Sequence, residues 1–301
     1  MALPEKITHD ALLGGQVTLR QHAAGYRVAM DPVLLAASVP ATGGEAVLDV
    51  GAGAGAAMLC LAWRVPGIRI TGVEVQSELV HLAVENIADN GLGERLEVMV
   101  GDLQRPPPRM VPRSFDHVMA NPPYFEAGRV RASGKDEKAT ANIEGAGGLG
   151  AWVAYCLSMV RPGGTITMTH RTDRLAELLA LLGGKTGDLV IFPLWPHDPF
   201  ATEGTAEGPR EGQRESASED GRASMRGGVR DAAKGTKSAA NNIADGDDAE
   251  PPVAAKRVIV QATAGSKGPL RLSAGLVLHK ANGNPTKAAN SVLRHGNALM
   301  L

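Results

Sequence analysis

Cysteine is nearly absent from this sequence: Cys60 and Cys156 are the only two in 301 residues. Both lie in apolar stretches with helical spacing, and two lone thiols make neither a disulfide framework nor a metal site. A reducing, cytoplasmic setting is the expectation, with no metal. Long apolar runs are missing too. No stretch approaches the roughly 18 residues a membrane helix needs, so no membrane is expected. The opening MALPEKITHDALLGG lacks the charged-then-apolar pattern of a secretion signal. Aromatic residues amount to only 3%, so the core has to rest on Leu, Val, Ala and Met. Acids are missing locally: residues 256–301 carry seven Lys or Arg and no Asp or Glu.

What is present has an ordinary globular balance, 44% hydrophobic and 21% charged. The net charge of −1 conceals an asymmetry. Residues 198–255 hold 12 acidic and 7 basic side chains, which leaves 24 basic and 20 acidic elsewhere. The remainder is basic, and its acid-free end favours a polyanionic substrate. Lys256, Arg257, Lys267, Arg271, Lys280, Lys287 and Arg294 are the candidate contacts to the phosphates of such a polyanion.

Between Ala46 and Thr169 short apolar runs alternate with helical patterns. AVLDV (46–50), ITGVEV (70–75), LEVMV (96–100), FDHVMA (115–120) and TITMT (165–169) read as parallel strands buried on both faces. AAMLCLAWRV, SELVHLAVENIADN and AWVAYCLSMV carry the spacing of packed helices, with Ser77 as N-cap of the second and Pro162-Gly163-Gly164 stopping the third. This alternation predicts an α/β fold, a doubly wound Rossmann-like sheet. DPVLLAASV (31–39) reads as a short preceding helix. From residue 198 to 255 large apolar side chains all but vanish, and the segment is expected to be a disordered insertion. DLVIFPL (188–194) and KRVIVQAT (256–263) flank it as strands able to pair as a hairpin around it. One domain is therefore expected in two pieces, 1–197 and 256–301.

Asp49-Val50-Gly51-Ala52-Gly53-Ala54-Gly55 follows the first of these strands and opens a helix. Glycines there let the backbone turn tightly and approach a ligand. Glu74, near the end of the next strand, is placed to accept hydrogen bonds from ribose hydroxyls. Gly51, Gly53 and Ala56 also satisfy the dinucleotide pattern, so a dehydrogenase is the rival. Asp49 discriminates: a carboxylate at the loop entrance repels a pyrophosphate and attracts the ammonium and sulfonium of S-adenosyl-L-methionine. Asp102 reads either as an acceptor from the adenine amino group or as a helix cap.

The second motif is Asn121-Pro122-Pro123-Tyr124, after the fourth strand. An aryl amine attacks poorly because its lone pair is delocalised. An amide oxygen accepting one N–H and a backbone carbonyl accepting the other favour a tetrahedral, reactive nitrogen. Asn121 and Pro122 can fill those roles, and Tyr124 can stack on a flat base. No strong general base is needed. His81 and His117 fall in packed helix or strand contexts and read as structural.

On these two motifs the chain resembles the class I methyltransferases with an N-P-P-Y signature. Within them it is similar to the group that methylates adenine N6 at nucleotide 37 of a valine tRNA. GYRVAMDPVLLAA (25–37) and KGPLRLSAGLVLHKANGNPTKAANSVLRHG (267–296) extend the likeness, which omits only the insertion. The resemblance implies a seven-stranded sheet whose last strand is antiparallel, S-adenosyl-L-methionine as cofactor and tRNA as partner. It implies a cofactor or base contact around Tyr26, Arg27 and Asp31, although Asp31 also reads as a helix cap. Guanine N2 in ribosomal RNA and glutamine N5 in protein use the same motif and stay open. A methyltransferase-like RNA-binding module without catalysis is disfavoured by the intact Asn121 and glycine loop.

Overall fold

In the computed structural model the described residues are 6–23, 30–124, 147–199 and 254–301. The chain divides into two units, Met1–Pro199 with Val253–Leu301, and Phe200–Pro252. All described residues belong to the first. The proposed insertion at 198–255 therefore lies, apart from its ends, outside the described residues, as do Tyr26 and Arg27.

A hairpin of β1 (Ile7–Leu12) and β2 (Val17–His22) comes first. Then follow α1 (Asp31–Ser38), β3 (Ala46–Val50), α2 (Ala56–Arg64), β4 (Arg69–Glu74), α3 (Ser77–Asp89), β5 (Leu96–Val100) and β6 (Phe115–Ala120). After residue 147 come α4 (Gly148–Met159), β7 (Val160–Arg171), α5 (Leu175–Leu182) and β8 (Thr186–Trp195). β9 (Arg257–Ala264), β10 (Arg271–Leu272), β11 (Leu276–Val277) and α6 (Lys287–His295) complete the unit.

The main sheet runs β5-β4-β3-β6-β7-β9-β8, with β10 and β11 added along the outer edge of β8. Strands β3 to β7 pair in parallel, and β9 enters antiparallel between β7 and β8. The seven expected strands and the expected pairing of β8 with β9 are thus present. Alternation along each buried strand fills two cores. Val47, Ile70, Leu96 and Met119 pack towards α1 and α2. Leu48, Val50, Val73, Val118 and Ala120 pack towards α4 and α5. A third cluster joins Leu34 of α1 to Phe192, Ile259, and Ala289 and Val292 of α6. Thr286 caps α6, its hydroxyl accepting from the Ala289 N–H at 3.0 Å, and Gly296 ends it with φ of 64°.

Three local expectations change. Gln76, not Ser77, stands at the N-cap of α3, and no side chain caps there. The α4 helix stops at Met159, ahead of the Pro-Gly-Gly triplet, because Val160 already pairs with Phe115. Those three residues, with Arg161, bulge before pairing resumes at His117 with Thr165. The β1–β2 hairpin was not expected. It is held by α3, whose Asn86 side chain receives the Arg20 N–H at 2.7 Å and donates to the Arg20 carbonyl at 3.0 Å. Asn90 does the same for Thr18 at 3.0 and 2.8 Å. Two carboxamides thereby satisfy an otherwise open strand edge.

Candidate active site

Strand register decides what meets at the C-terminal ends of the parallel strands. Val50 pairs with Val73 on one side and Ala120 on the other. The next residues, Gly51, Glu74 and Asn121, therefore emerge side by side. Open α/β sheets bind their ligands at this edge.

The glycine loop owes its path to left-handed backbone. Gly51, Gly53 and Gly55 have φ of 70°, 56° and 90°, values that disfavour any side chain. A Cβ at Gly51 would also run into the indole of Trp152, which α4 lays against the loop. Glu74 fixes the loop from below: its Oε2 accepts from the Gly53 N–H and its Oε1 from the Gln76 N–H, both at 3.0 Å. Each oxygen keeps a second lone pair for a ligand hydroxyl.

Asp49 is buried, and its Oδ2 has no hydrogen-bond partner. Burial, reinforced by the nearby Glu74 carboxylate, pushes its carboxyl up to about 7, against a Met58 backbone N–H that favours the charge. Among the described residues neither Asp49 nor Glu74 has a Lys or Arg partner. Two buried carboxylates beside a glycine cradle fit a ligand with a cationic end and vicinal hydroxyls. Asp102 lies exposed just beyond β5, whose Val100 pairs with Glu74. Its Oδ1 accepts from the Gln104 N–H at 2.9 Å, so it caps a turn and not a helix.

Asn121 leaves β6 beside this cradle, partly exposed, with Pro122 buried behind it. The Tyr124 hydroxyl lies 2.9 Å from the Asn121 amide oxygen and 2.6 Å from Asp31 Oδ2. Arg257 Nε donates to the same Asp31 oxygen at 2.6 Å, and its guanidinium lies 4.7 Å from the Tyr124 ring centroid. His170 meets that ring edge-on at 5.9 Å. Tyr124 is only 8% exposed, and Arg257 lies over one face of its ring.

Asp31 is the first residue of α1 and makes no capping hydrogen bond, so its helix-cap alternative falls away in favour of this network. Sequence reading placed Arg257 among phosphate contacts and passed over His170 and Trp152. Their partners lie far along the chain, Asp31 and Arg257 being 226 residues apart, and no local spacing records such a pairing. His170 is fully buried, and burial pulls its imidazole down to about 4, so it is neutral near pH 7. His117 is satisfied by Thr165 and Glu45, as expected, whereas His81 is exposed and not packed.

The remaining basic residues of 256–301 divide along the sheet. Lys256 precedes β9 beside Thr172, at the ligand edge, and Lys280 follows His279, which bonds to Pro196 beyond the end of β8. Lys267 lies at the opposite edge, next to Gly268, whose carbonyl accepts from the Asp188 N–H. Arg271 pairs with Val190 and bonds to the Leu301 carbonyl. Among the described residues no cluster of His, Cys, Asp and Glu could hold a metal, and no helix is long and apolar enough to cross a membrane.

Residues 27–140 match the family model described as methyltransferase small domain. A relative from Shewanella halifaxensis, named tRNA1(Val) (adenine(37)-N6)-methyltransferase, is 32% identical over 158 residues, 52% of this chain and 63% of that protein. Proteins of the same name from Citrobacter koseri and Aeromonas hydrophila are 38% and 34% identical, over 38% and 52% of this chain and 46% and 64% of their own. The chain thus spans about half to just under two thirds of these relatives. A predicted O-methyltransferase of known structure from Agrobacterium tumefaciens is similar in fold, with a TM-score of 0.61 and 21% identity over 90% of this chain and 99% of that one. The stretch that builds the glycine loop and the Asn-Pro-Pro-Tyr turn thus matches the methyltransferase small domain, within a fold that a known methyltransferase-like structure shares over nearly its whole length.

Proposed function

We propose that this chain is an S-adenosyl-L-methionine-dependent N-methyltransferase acting on adenine N6 in RNA, with adenine 37 of a valine tRNA as the site. The observation that carries this reading is the side-by-side emergence of Gly51, Glu74 and Asn121 from three neighbouring strands. The names of the relatives favour adenine over guanine N2 and over glutamine. The cofactor supplies a methyl group on a sulfonium, ready for transfer to a nitrogen lone pair. Asp49 offers its unpartnered Oδ2 to the cationic end, Glu74 accepts from the ribose hydroxyls, and Asp102 accepts from the adenine amino group. Asn121 and the Pro122 carbonyl accept the two N–H groups of the target amine, which makes the nitrogen more tetrahedral and draws its lone pair out of conjugation with the ring. The rate comes from orientation and electrostatics, since the methylated amine loses its proton readily.

The test is nucleoside mass spectrometry of unmodified tRNA treated with purified protein and cofactor. N6-methyladenine supports the reading, N2-methylguanine moves it to the guanine alternative, and no methylated nucleoside, with a methylated glutamine in a parallel assay on protein, moves it to protein. Asn121→Ala should slow transfer by about 10²-fold or more while leaving cofactor affinity nearly unchanged. Transfer at the wild-type rate would remove Asn121 from the amine site.

A further inference from the structure

We propose that Asp31 and Arg257, acting through Tyr124, fix which end of the Asn121 amide faces the target amine. This rests on the reading of Asn121 as amine acceptor and adds how its direction is set.

A phenol has one proton to give. Tyr124 nevertheless sits between two oxygen positions, Asp31 Oδ2 at 2.6 Å and the Asn121 amide at 2.9 Å. Two oxygens 2.6 Å apart need a proton between them, and that length is typical of a hydroxyl donating to a carboxylate. Asp31 pairs with Arg257 Nε at 2.6 Å and so acts only as an acceptor. The phenol proton therefore goes to Asp31. The Arg257 guanidinium, lying over the Tyr124 ring, can only donate. The phenol oxygen is left as acceptor towards its other neighbours. What faces it from Asn121 must then be N–H. A half-turn of the carboxamide exchanges Oδ1 and Nδ2 without moving the side chain. With Nδ2 donating to Tyr124, Oδ1 points away from the phenol and is free for an N–H of the substrate.

The chain of bonds also acts electrically. Negative charge on Asp31 polarises the phenol, which polarises the amide, and each step raises the acceptor strength of Oδ1. No proton moves. Arg257 supplies the charge that makes a buried Asp31 tolerable, and its guanidinium over the ring holds Tyr124 in place. These are positioning residues: in this chain of side chains only Asn121 touches the reacting amine.

The experiment pairs amide NMR with kinetics on the full-length protein. Asn121 side-chain N–H signals, assigned by their loss in Asn121→Ala, should include one shifted, exchange-protected proton that reverts in Tyr124→Phe. Unmoved signals in Tyr124→Phe would overturn the orientation. In turnover, Tyr124→Phe and Asp31→Ala should each lower kcat by roughly ten- to hundredfold, the scale for residues that orient a reacting one. KM for the cofactor should stay put. Asp31→Asn, which still accepts from the phenol, should recover most of the rate lost in Asp31→Ala. Variants that melt normally and turn over at the wild-type rate would show that the orientation has no catalytic consequence. Should the wild type methylate no nucleoside at all, the functional reading falls, while the NMR comparison still decides the direction of the amide.

Discussion

Asp49 allows the most quantitative test of the cofactor site. Its carboxyl is raised to about 7, so in the free protein it is half protonated near neutrality. A ligand whose cationic end needs the carboxylate must expel that proton. Apparent affinity then scales with the ionised fraction, roughly 3% at pH 5.5 and about one half at pH 7. S-adenosyl-L-methionine should therefore bind roughly 15-fold more weakly at pH 5.5 than at pH 7. Staying at or below pH 7 keeps the ligand's own amino group charged, since α-amino groups titrate near 7.7–8.0. Calorimetry in buffers of different ionisation enthalpy measures the linked proton directly, with close to one released at pH 5.5.

The same shift acts on stability with the opposite benefit. The folded value lies above the unfolded one of about 3.9, so the folded protein holds a proton that the unfolded chain has already lost in this window. Its stabilising effect is complete below the unfolded value and is lost as pH rises towards 7, a difference of up to about 4 kcal/mol. Asp49→Asn keeps an acceptor for the Met58 N–H but carries no charge. It should melt higher than the wild type at pH 8, bind the cofactor more weakly at pH 7 and show a flat pH profile between 5.5 and 7. A variant that melts lower and retains the wild-type pH profile would refute both the burial argument and the placement of the cation.

Glu74→Ala should lose about 1.5–3 kcal/mol of cofactor affinity, the scale of hydrogen bonds to a charged group, and unchanged affinity by calorimetry would take Glu74 out of the site. Asn86→Ala leaves the Arg20 backbone and the Ala54 carbonyl without partners, so denaturant unfolding should show a loss of about 2–4 kcal/mol. For RNA, Lys256→Ala/Lys280→Ala should weaken tRNA binding and flatten the slope of log affinity against log salt by about 1.4–1.8, with cofactor affinity unchanged. Lys267→Ala/Arg271→Ala, which takes one of its two cations from the opposite edge of the sheet, should do less, and the reverse ranking would place the RNA elsewhere.

The parallel strands were legible because burial on both faces leaves a strand little but apolar residues. AVLDV, LEVMV and FDHVMA coincide with β3, β5 and β6. The first hairpin was not, because ITHDAL and VTLRQH are half exposed and take their edge partners from Asn86 and Asn90, some 70 residues on. β10 and β11 have two residues each and no pattern to read. The site divides in the same way. Asp49, the glycines, Glu74 and Asn121 to Tyr124 belong to local motifs at the ends of strands, whose chemistry can be recognised before the fold is known. Asp31, His170 and Trp152 matter only through partners the fold delivers.

Arg257 shows where counting charges fails. Seven cations without an acid in residues 256–301 looked like a surface waiting for phosphate. The local count was right, but a charge is balanced in space and not along the chain. β9 carries Arg257 to the start of α1, where Asp31 is buried. A guanidinium engaged by a carboxylate and an aromatic face has little left for a phosphate. Removing it would leave a buried carboxylate unpaired, a change far costlier than the loss of one exposed phosphate contact. Lys256, its immediate neighbour, is exposed at the same edge. Adjacent residues of one basic segment thus sit in different settings, Arg257 in an ion pair and Lys256 exposed.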